Sequence, residues 1–392
     1  MKNTISKVAA LIALLAVPAV VFADDVAPIS VKLYGYTKLD VIYATQRTYV
    51  GDLNFYLLPT VAGQTQSSLN ITARETRFGL DLQGPSSDDW KTTGKIELDF
   101  YTLAFGGGNE NAVAPRIRLG YVDVANKNGL SFRAGQDWDA FVTVNPKTLD
   151  AAFLGGYGNL YNRRPQVRVS DVVKLGDVTV TARVAGARTI GQVTDAGGVQ
   201  DGGEDSGQPT LEGALFADAK LWTNKPARLS ISGHTGSETN FTAAANPTLD
   251  NYTTKSLIGG AIVPVTEAVS VQGTIWQGTD LRAFYGGIYQ GINTVQKKSI
   301  SSTGGWGQVV ANVTPIINVN LGYGVDDPDG DTLNNGDRTL NKRAFGSIFY
   351  QLNSAVSVAF EYSNLSTAYK TTATSDTTIN GEIYQASAIY KF

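Results

Sequence analysis

The sequence predicts an all-β chain, and more narrowly a closed, antiparallel transmembrane β-barrel of about sixteen strands. Three observations carry this. Apolar and polar residues alternate with a period of two in nearly every segment between connectors, the spacing of a strand with two different faces. Short and long connectors take turns along the chain. The last residue, Phe392, stands in phase with the apolar face of Tyr384, Ala386, Ala388 and Tyr390, where a soluble chain usually frays into polar residues.

Composition narrows the possible functions. Among 392 residues there is no Cys and one His. That excludes disulfides, thiolate metal sites, cysteine nucleophiles and any centre built on two imidazoles. The net charge of −3 lacks the basic excess of a nucleic-acid binder. Charged residues are 17% of the chain, below the roughly 25% of ordinary soluble domains. Nothing in the residues calls for a cofactor or a metal.

The N-terminus reads as a secretory signal peptide over residues 1–23. Lys2 and Lys7 precede the apolar run Val8–Phe22, Val21-Phe22-Ala23 fits a cleavage site, and Asp24 and Asp25 follow. The other reading is an N-terminal membrane anchor. Residues 24–392 are expected to form one barrel domain. After Ala23 no apolar run reaches the roughly 18 residues of a membrane-spanning helix.

The first strand sets Leu33, Leu39, Val41 and Tyr43 against Lys32, Lys38 and Asp40. The second, "TRFGLDLQGP", sets Phe78, Leu80 and Leu82 outward and Arg77 and Asp81 inward. Strict alternation leaves Arg74 outside. A rim position, a subunit interface or a bulge would each accommodate it, since long side chains snorkel. In the third strand Ile96, Leu98 and Phe100 oppose Lys95, Glu97 and Asp99. The fourth turns Arg116 and Arg118 inward, the fifth Arg133 and Asp137, the sixth Arg164, Gln166 and Arg168, and the seventh Arg183. The same rhythm continues through Leu229 and Ile231, Val269 and Val271, Val319 and Leu321, and Val356 and Val358. His234 falls inside, as a polar lining residue or a pH sensor.

The short connectors are 84–89, 126–129, 174–177, 223–226, 265–268, 314–315 and 353–355. The long ones lie near 45–69, 106–115, 137–163, 191–210, 237–253, 279–303, 325–340 and 364–381. In hydrocarbon every backbone N–H and C=O must be paired, and a sheet manages this only by closing on itself. Termini on the same side require an even strand count. Short turns on the periplasmic side and long loops outside match such a barrel. A soluble β-sandwich would give the same alternation, but the connector rhythm, the terminal aromatic and the signal peptide argue against it.

Several stretches together resemble a family. "VKLYGYTKLDVIY", "TRFGLDLQGP", "RIRLGYVDV…GLSFRAGQDWDAF", "NKRAFGSIFYQLNSAVSVAFEYS" and the final "ASAIYKF" are similar to Gram-negative trimeric porins, most nearly the DcaP-like group. The resemblance covers both ends and the region from the fourth strand into the third loop, and the middle only by pattern. It implies a homotrimer, a third loop folded into the lumen, and contact with outer-membrane lipid and lipopolysaccharide. The barrel-assembly machinery is generally understood to read a terminal aromatic such as Phe392.

Function in such a barrel resides in the lining side chains. The expected constriction pairs wall residues Arg77, Glu97, Asp99, Arg116, Arg118, Arg133, Arg164, Arg168 and Arg183 with third-loop residues Asp137, Asp139, Asp150 and Lys147. A midplane Arg facing lipid costs about 2–4 kcal/mol, so these arginines are placed inside. Acids facing arginines across a narrow gap would set up a transverse field. Local pairing that merely stiffens the wall is the other reading, and the nearby acids leave a net anion preference open. Trp138, Phe141, Phe153, Tyr157 and Tyr161 either form a stacking strip for sugars and aromatic solutes or pack the loop onto the wall. Asp327, Asp329 and Asp331 imitate a calcium loop, but Thr332 and Arg338 stand where its Gly and Glu belong.

The expected function is passive diffusion of small hydrophilic solutes and ions through a water-filled channel of the outer membrane. No enzyme and no nucleic-acid partner is expected. A barrel enzyme would have to be built on His234, and an electron-conduit sleeve would need a separate haem protein, since the chain has no CxxCH. The solute is not legible.

Overall fold

The computed structural model describes residues 29–103, 113–191, 202–242 and 248–392. The segment 1–23, expected to be a signal peptide, lies outside the described residues. So do the middles of the connectors near 106–115, 191–210 and 237–253.

Seventeen strand segments form one sheet. Two consecutive segments share an edge of the first strand and count as one interrupted strand, which gives sixteen. They are β1 (Ser30–Ala44), β2 (Ser68–Thr72 with Arg77–Ser86), β3 (Trp90–Leu103), β4 (Val113–Asn126), β5 (Ser131–Trp138), β6 (Arg163–Leu175), β7 (Val178–Ala187) and β8 (Thr210–Lys220). Then follow β9 (Pro226–Thr242), β10 (Thr248–Pro264), β11 (Val269–Thr279), β12 (Ser301–Thr314), β13 (Ile317–Pro328), β14 (Arg338–Gln351), β15 (Val356–Lys370) and β16 (Asp376–Lys391). Every neighbour is antiparallel, and the sheet closes where β1 pairs with β16 from Tyr36↔Lys391 to Ala44↔Ile383. The seam continues one residue further. The Gly35 N–H donates to the Phe392 carbonyl at 3.1 Å, and the Phe392 N–H donates back at 3.2 Å.

Closure leaves no open sheet edge, the condition for a sheet to stand in hydrocarbon. The faces sort as the alternation requires. Leu33, Leu39, Val41 and Tyr43 are exposed, while Lys38, Asp40, Ile42 and Ala44 are buried. Aromatic side chains gather at both ends of the outer wall. Phe78 lies 6.3 Å from Phe100 and 5.8 Å from Phe392 between ring centroids. Toward the other end Tyr384 lies 6.4 Å from Tyr43 and 5.3 Å from Tyr362. Such rings suit the water–lipid boundary, with one apolar and one wet end.

Two expectations need correction. The connectors near 237–253 and 364–381 are not long loops. Strand pairing runs on to Thr242↔Thr248 and to Lys370↔Asp376, because Thr-rich sequence supports a strand without apolar alternation. The strict long–short rhythm therefore fails at those two places. The inward positions are also not uniformly polar. Ile42, Ala44, Phe345, Leu365 and Ile383 point in and pack with Leu57, Leu154 and Tyr157. They receive connector segments that occupy the interior.

Those segments are 45–67, 139–162 and 280–300. The third connector, 139–162, is held by the far wall. Trp276 Nε1 donates to the Gly158 carbonyl at 2.7 Å, and Trp306 Nε1 to Asn159 Oδ1 at 3.0 Å. Gly158 has φ +97°, and an added Cβ would stand 2.1 Å from the Gly305 carbonyl oxygen. Only glycine permits that approach of loop to strand.

Candidate functional site

The third connector and the wall strands β2, β3, β4 and β6 enclose a cleft lined by Glu75, Arg77, Tyr101, Arg116, Arg118 and Arg163. Phe55, Phe153, Tyr161 and Tyr285 supply its apolar side. The open space is about 20 Å³, room for about one water molecule.

Asp99 is the hub of the charged wall. Arg116 grips it with two hydrogen bonds, Nε to Oδ1 at 2.9 Å and Nη2 to Oδ2 at 2.8 Å. Arg118 donates to Asp99 Oδ2 at 2.9 Å and to Glu97 Oε1 at 2.7 Å. Arg77 stands 3.6 Å from Glu97 Oε1 and lies over the Tyr36 ring at 5.1 Å. Lys38 and the Tyr36 hydroxyl hold Glu75. Forked pairing of this kind fixes each guanidinium plane more rigidly than a lysine would.

Arg163 is different. Its guanidinium lies 4.8 Å over the Trp138 ring. Among the described residues it makes no ion pair, and its Nη1 is buried without a hydrogen-bond partner. A desolvated cation without a counter-charge is costly.

The remaining expected residues settle in five other places. Beside the cleft, Arg133 donates to Asp123 at 2.7 Å and to Asp137 at 2.6 Å, and Arg168 stands 2.8 Å from Asp137. Asp139 takes the Arg164 Nε at 2.9 Å, while Arg164 also binds Glu212. Asp150 does not meet the arginines of β4 to β7. It binds Arg343 of β14, which also donates to Glu361 at 2.9 Å. The three acids of the expected gap thus touch their arginines directly. A buried charge left apart from its partner would retain its desolvation cost.

Lys147 is away from the cleft. It lines a cavity of about 350 Å³ at the short-turn end, 5.7 Å over the Phe349 ring. Arg183 is near neither. It stacks on Phe216 at 4.8 Å, and Arg228 stacks on the same ring at 4.4 Å.

Arg74 is inside. β2 breaks between its two pieces, the Thr76 N–H bonds the Ala73 carbonyl at 3.0 Å, and Arg74 pairs with Asp52. The outward placement is thus corrected: the strand is interrupted between Thr72 and Arg77, and that break, not strict alternation, sets the direction of Arg74. Phe141 and Tyr157 are fully buried, and the Tyr161 hydroxyl donates to the Ala152 carbonyl at 2.6 Å, so these rings pack the loop. His234 sits dry, with Nε2 2.9 Å from the Thr254 hydroxyl and Nδ1 2.7 Å from that of Ser256. Among the described residues no group of three or more His, Cys, Asp or Glu side chains could hold a metal ion.

The expected site residues did not include Arg163, Arg343, Glu212, Glu361 and Tyr101. Arg343 and Glu361 obey the period, and phase would have found them. Arg163 sits at the loop-to-strand junction, where alternation fails; its only sequence signal is its place beside Arg164 at the loop's end.

The chain has the sixteen-stranded barrel fold of outer-membrane porins. It is similar to the outer-membrane channel DcaP of Acinetobacter baumannii, with 20% identity, 95% of this chain and 100% of that chain covered, and a TM-score of 0.68. It is also similar to an anion-selective porin from Comamonas acidovorans, at 13% identity, 93% and 100% coverage and TM-score 0.58. A third likeness is to the trimer form of OmpT from Vibrio cholerae, at 13% identity, 93% and 100% coverage and TM-score 0.57. No protein-family model matches the sequence, and no curated protein sequence matches it.

Proposed function

We infer that this chain is a Gram-negative outer-membrane porin that passes small hydrophilic solutes by diffusion and prefers anions. The observation that carries this reading is Arg163, a half-buried cleft-lining cation whose Nη1 is buried without a hydrogen-bond partner and which has no carboxylate partner among the described residues. The cleft's other arginines have acids to share; Arg163 has none. The similar porin from Comamonas acidovorans is anion-selective, which supports the same direction.

In mechanism the barrel supplies a water-filled passage and the cleft supplies the barrier. A solute reaching the cleft sheds part of its hydration. Forked guanidinium groups replace that hydration for an anion and repel a cation. The aromatic side of the cleft narrows the passage without binding water. The reading assigns no catalysis.

The reading includes export by the 1–23 signal segment, a homotrimer set in lipid and lipopolysaccharide, and recognition of Phe392 by the barrel-assembly machinery. The trimer form of the Vibrio structure is consistent with the assembly. Reversal potential in a salt gradient across a planar bilayer tests the central point. An anion-selective potential supports it; a cation-selective one refutes it.

A further inference from the structure

The short-turn end of the barrel carries a second group of cations that the cleft does not use. Lys147 of the third connector and Lys391 of β16 both line the cavity of about 350 Å³ there. Neither ammonium makes an ion pair among the described residues. No carboxylate side chain is among the residues lining the cavity; Asn312, Asn318, Gln351 and Asn353 supply its polar wall.

Both lysines stand on fixed backbone. The Lys147 N–H donates to Gln308 Oε1 at 2.9 Å, and Gln308 Nε2 donates to the Lys147 carbonyl at 2.5 Å. The Lys391 N–H donates to the Ala355 carbonyl at 2.8 Å. Burial and the charge of Lys391 hold the Lys147 ammonium below the ordinary lysine range. Both side chains are exposed to the cavity, and two like charges on rigid supports, with no carboxylate side chain among the lining residues, make a local field that attracts an anion.

We propose that Lys147 and Lys391 form a second anion station at the short-turn mouth, a site for a small multivalent oxyanion such as phosphate. It rests on the porin reading, since it serves an anion that crosses the same lumen. The residue types suit a sequence of two stations. The arginines of the cleft grip through a planar fork, whereas lysine ammoniums are strongly hydrated point charges. Conduction needs sites that bind well enough to admit an ion and loosely enough to release it. A loose site beside a tight one gives an arriving anion a place from which to displace the one ahead.

The test is block of chloride current by inorganic phosphate in planar bilayers, with channels inserted in one orientation. Wild-type channels and the K147Q/K391Q double variant are compared, with K147R/K391R as the charge-conserving control. The half-blocking phosphate concentration from the short-turn side should rise about tenfold in K147Q/K391Q. It should change less than twofold from the loop side, and K147R/K391R should keep the wild-type value. Equal block in wild type and K147Q/K391Q overturns the station and leaves the porin reading standing. A wild-type channel that prefers cations overturns both.

Discussion

Arg343, on the inner face of β14, binds Asp150 of the third connector, and both side chains are almost completely buried. The pair ties the loop to the wall at a point far along the chain from the loop's own ends. Glu361 shares the guanidinium and also accepts the Leu149 N–H at 2.6 Å. Removing one partner of such a buried set costs about 3–5 kcal/mol, because the other charges lose their compensation. R343A should therefore release the connector. The barrel should lose thermal stability, read as a lower temperature for conversion of the folded band on a gel, and its current should become noisier. A quiet channel of wild-type thermal stability would show that the loop is held by other contacts.

Arg163 tests the selectivity. R163Q keeps a polar side chain and removes the unpaired charge. A unit charge about 4 Å from a permeating ion contributes at least about 1 kcal/mol even at the dielectric of water. The anion-to-cation permeability ratio should fall about fivefold. R116Q should shift it in the same direction but less, since Asp99 offsets Arg116. An unchanged reversal potential in R163Q would place the selective barrier elsewhere.

pH provides a second handle through Lys147, which lies on the connector and not on a spanning strand. Its ammonium is held below the ordinary range by burial and by Lys391. A lysine is charged below its pKa, so a depressed pKa means that the charge is lost earlier as pH rises. An unperturbed arginine keeps its charge up to about pH 12. Phosphate block from the short-turn side should weaken as pH rises toward the ordinary lysine range, before a free lysine would lose its charge. Block that holds constant over that range would mean that Lys147 keeps its proton.

Phe392 closes the barrel through its backbone and packs its ring on Phe78. Deleting it removes both. The yield of folded barrel should drop severalfold, while channels that do assemble keep wild-type conductance. Normal yield would separate the terminal ring from assembly.

How much of this was legible beforehand depends on what kept to the two-residue period. Leu33, Leu39, Val41 and Tyr43 announced the outer face of β1, and Phe392 announced the closing strand, because a sheet face allows one phase and no other. The inward arginines followed from the cost of placing them in lipid. The contents of the lumen did not follow. Ile42, Phe345 and Leu365 look like outward residues in the wrong phase until the connectors that cover them are in place. Arg163 and Arg74 sit where a strand begins or breaks, and the period carries no information there. The partner of Asp150 depends on where a long loop crosses the barrel, and spacing along the chain does not determine that.

Single-channel recording of the purified protein in planar bilayers with a chloride salt gradient tests the central claim most directly. Stable open steps with an anion-selective reversal potential are the predicted result. Correctly folded barrels that insert and stay silent, or that pass cations in preference, would contradict it.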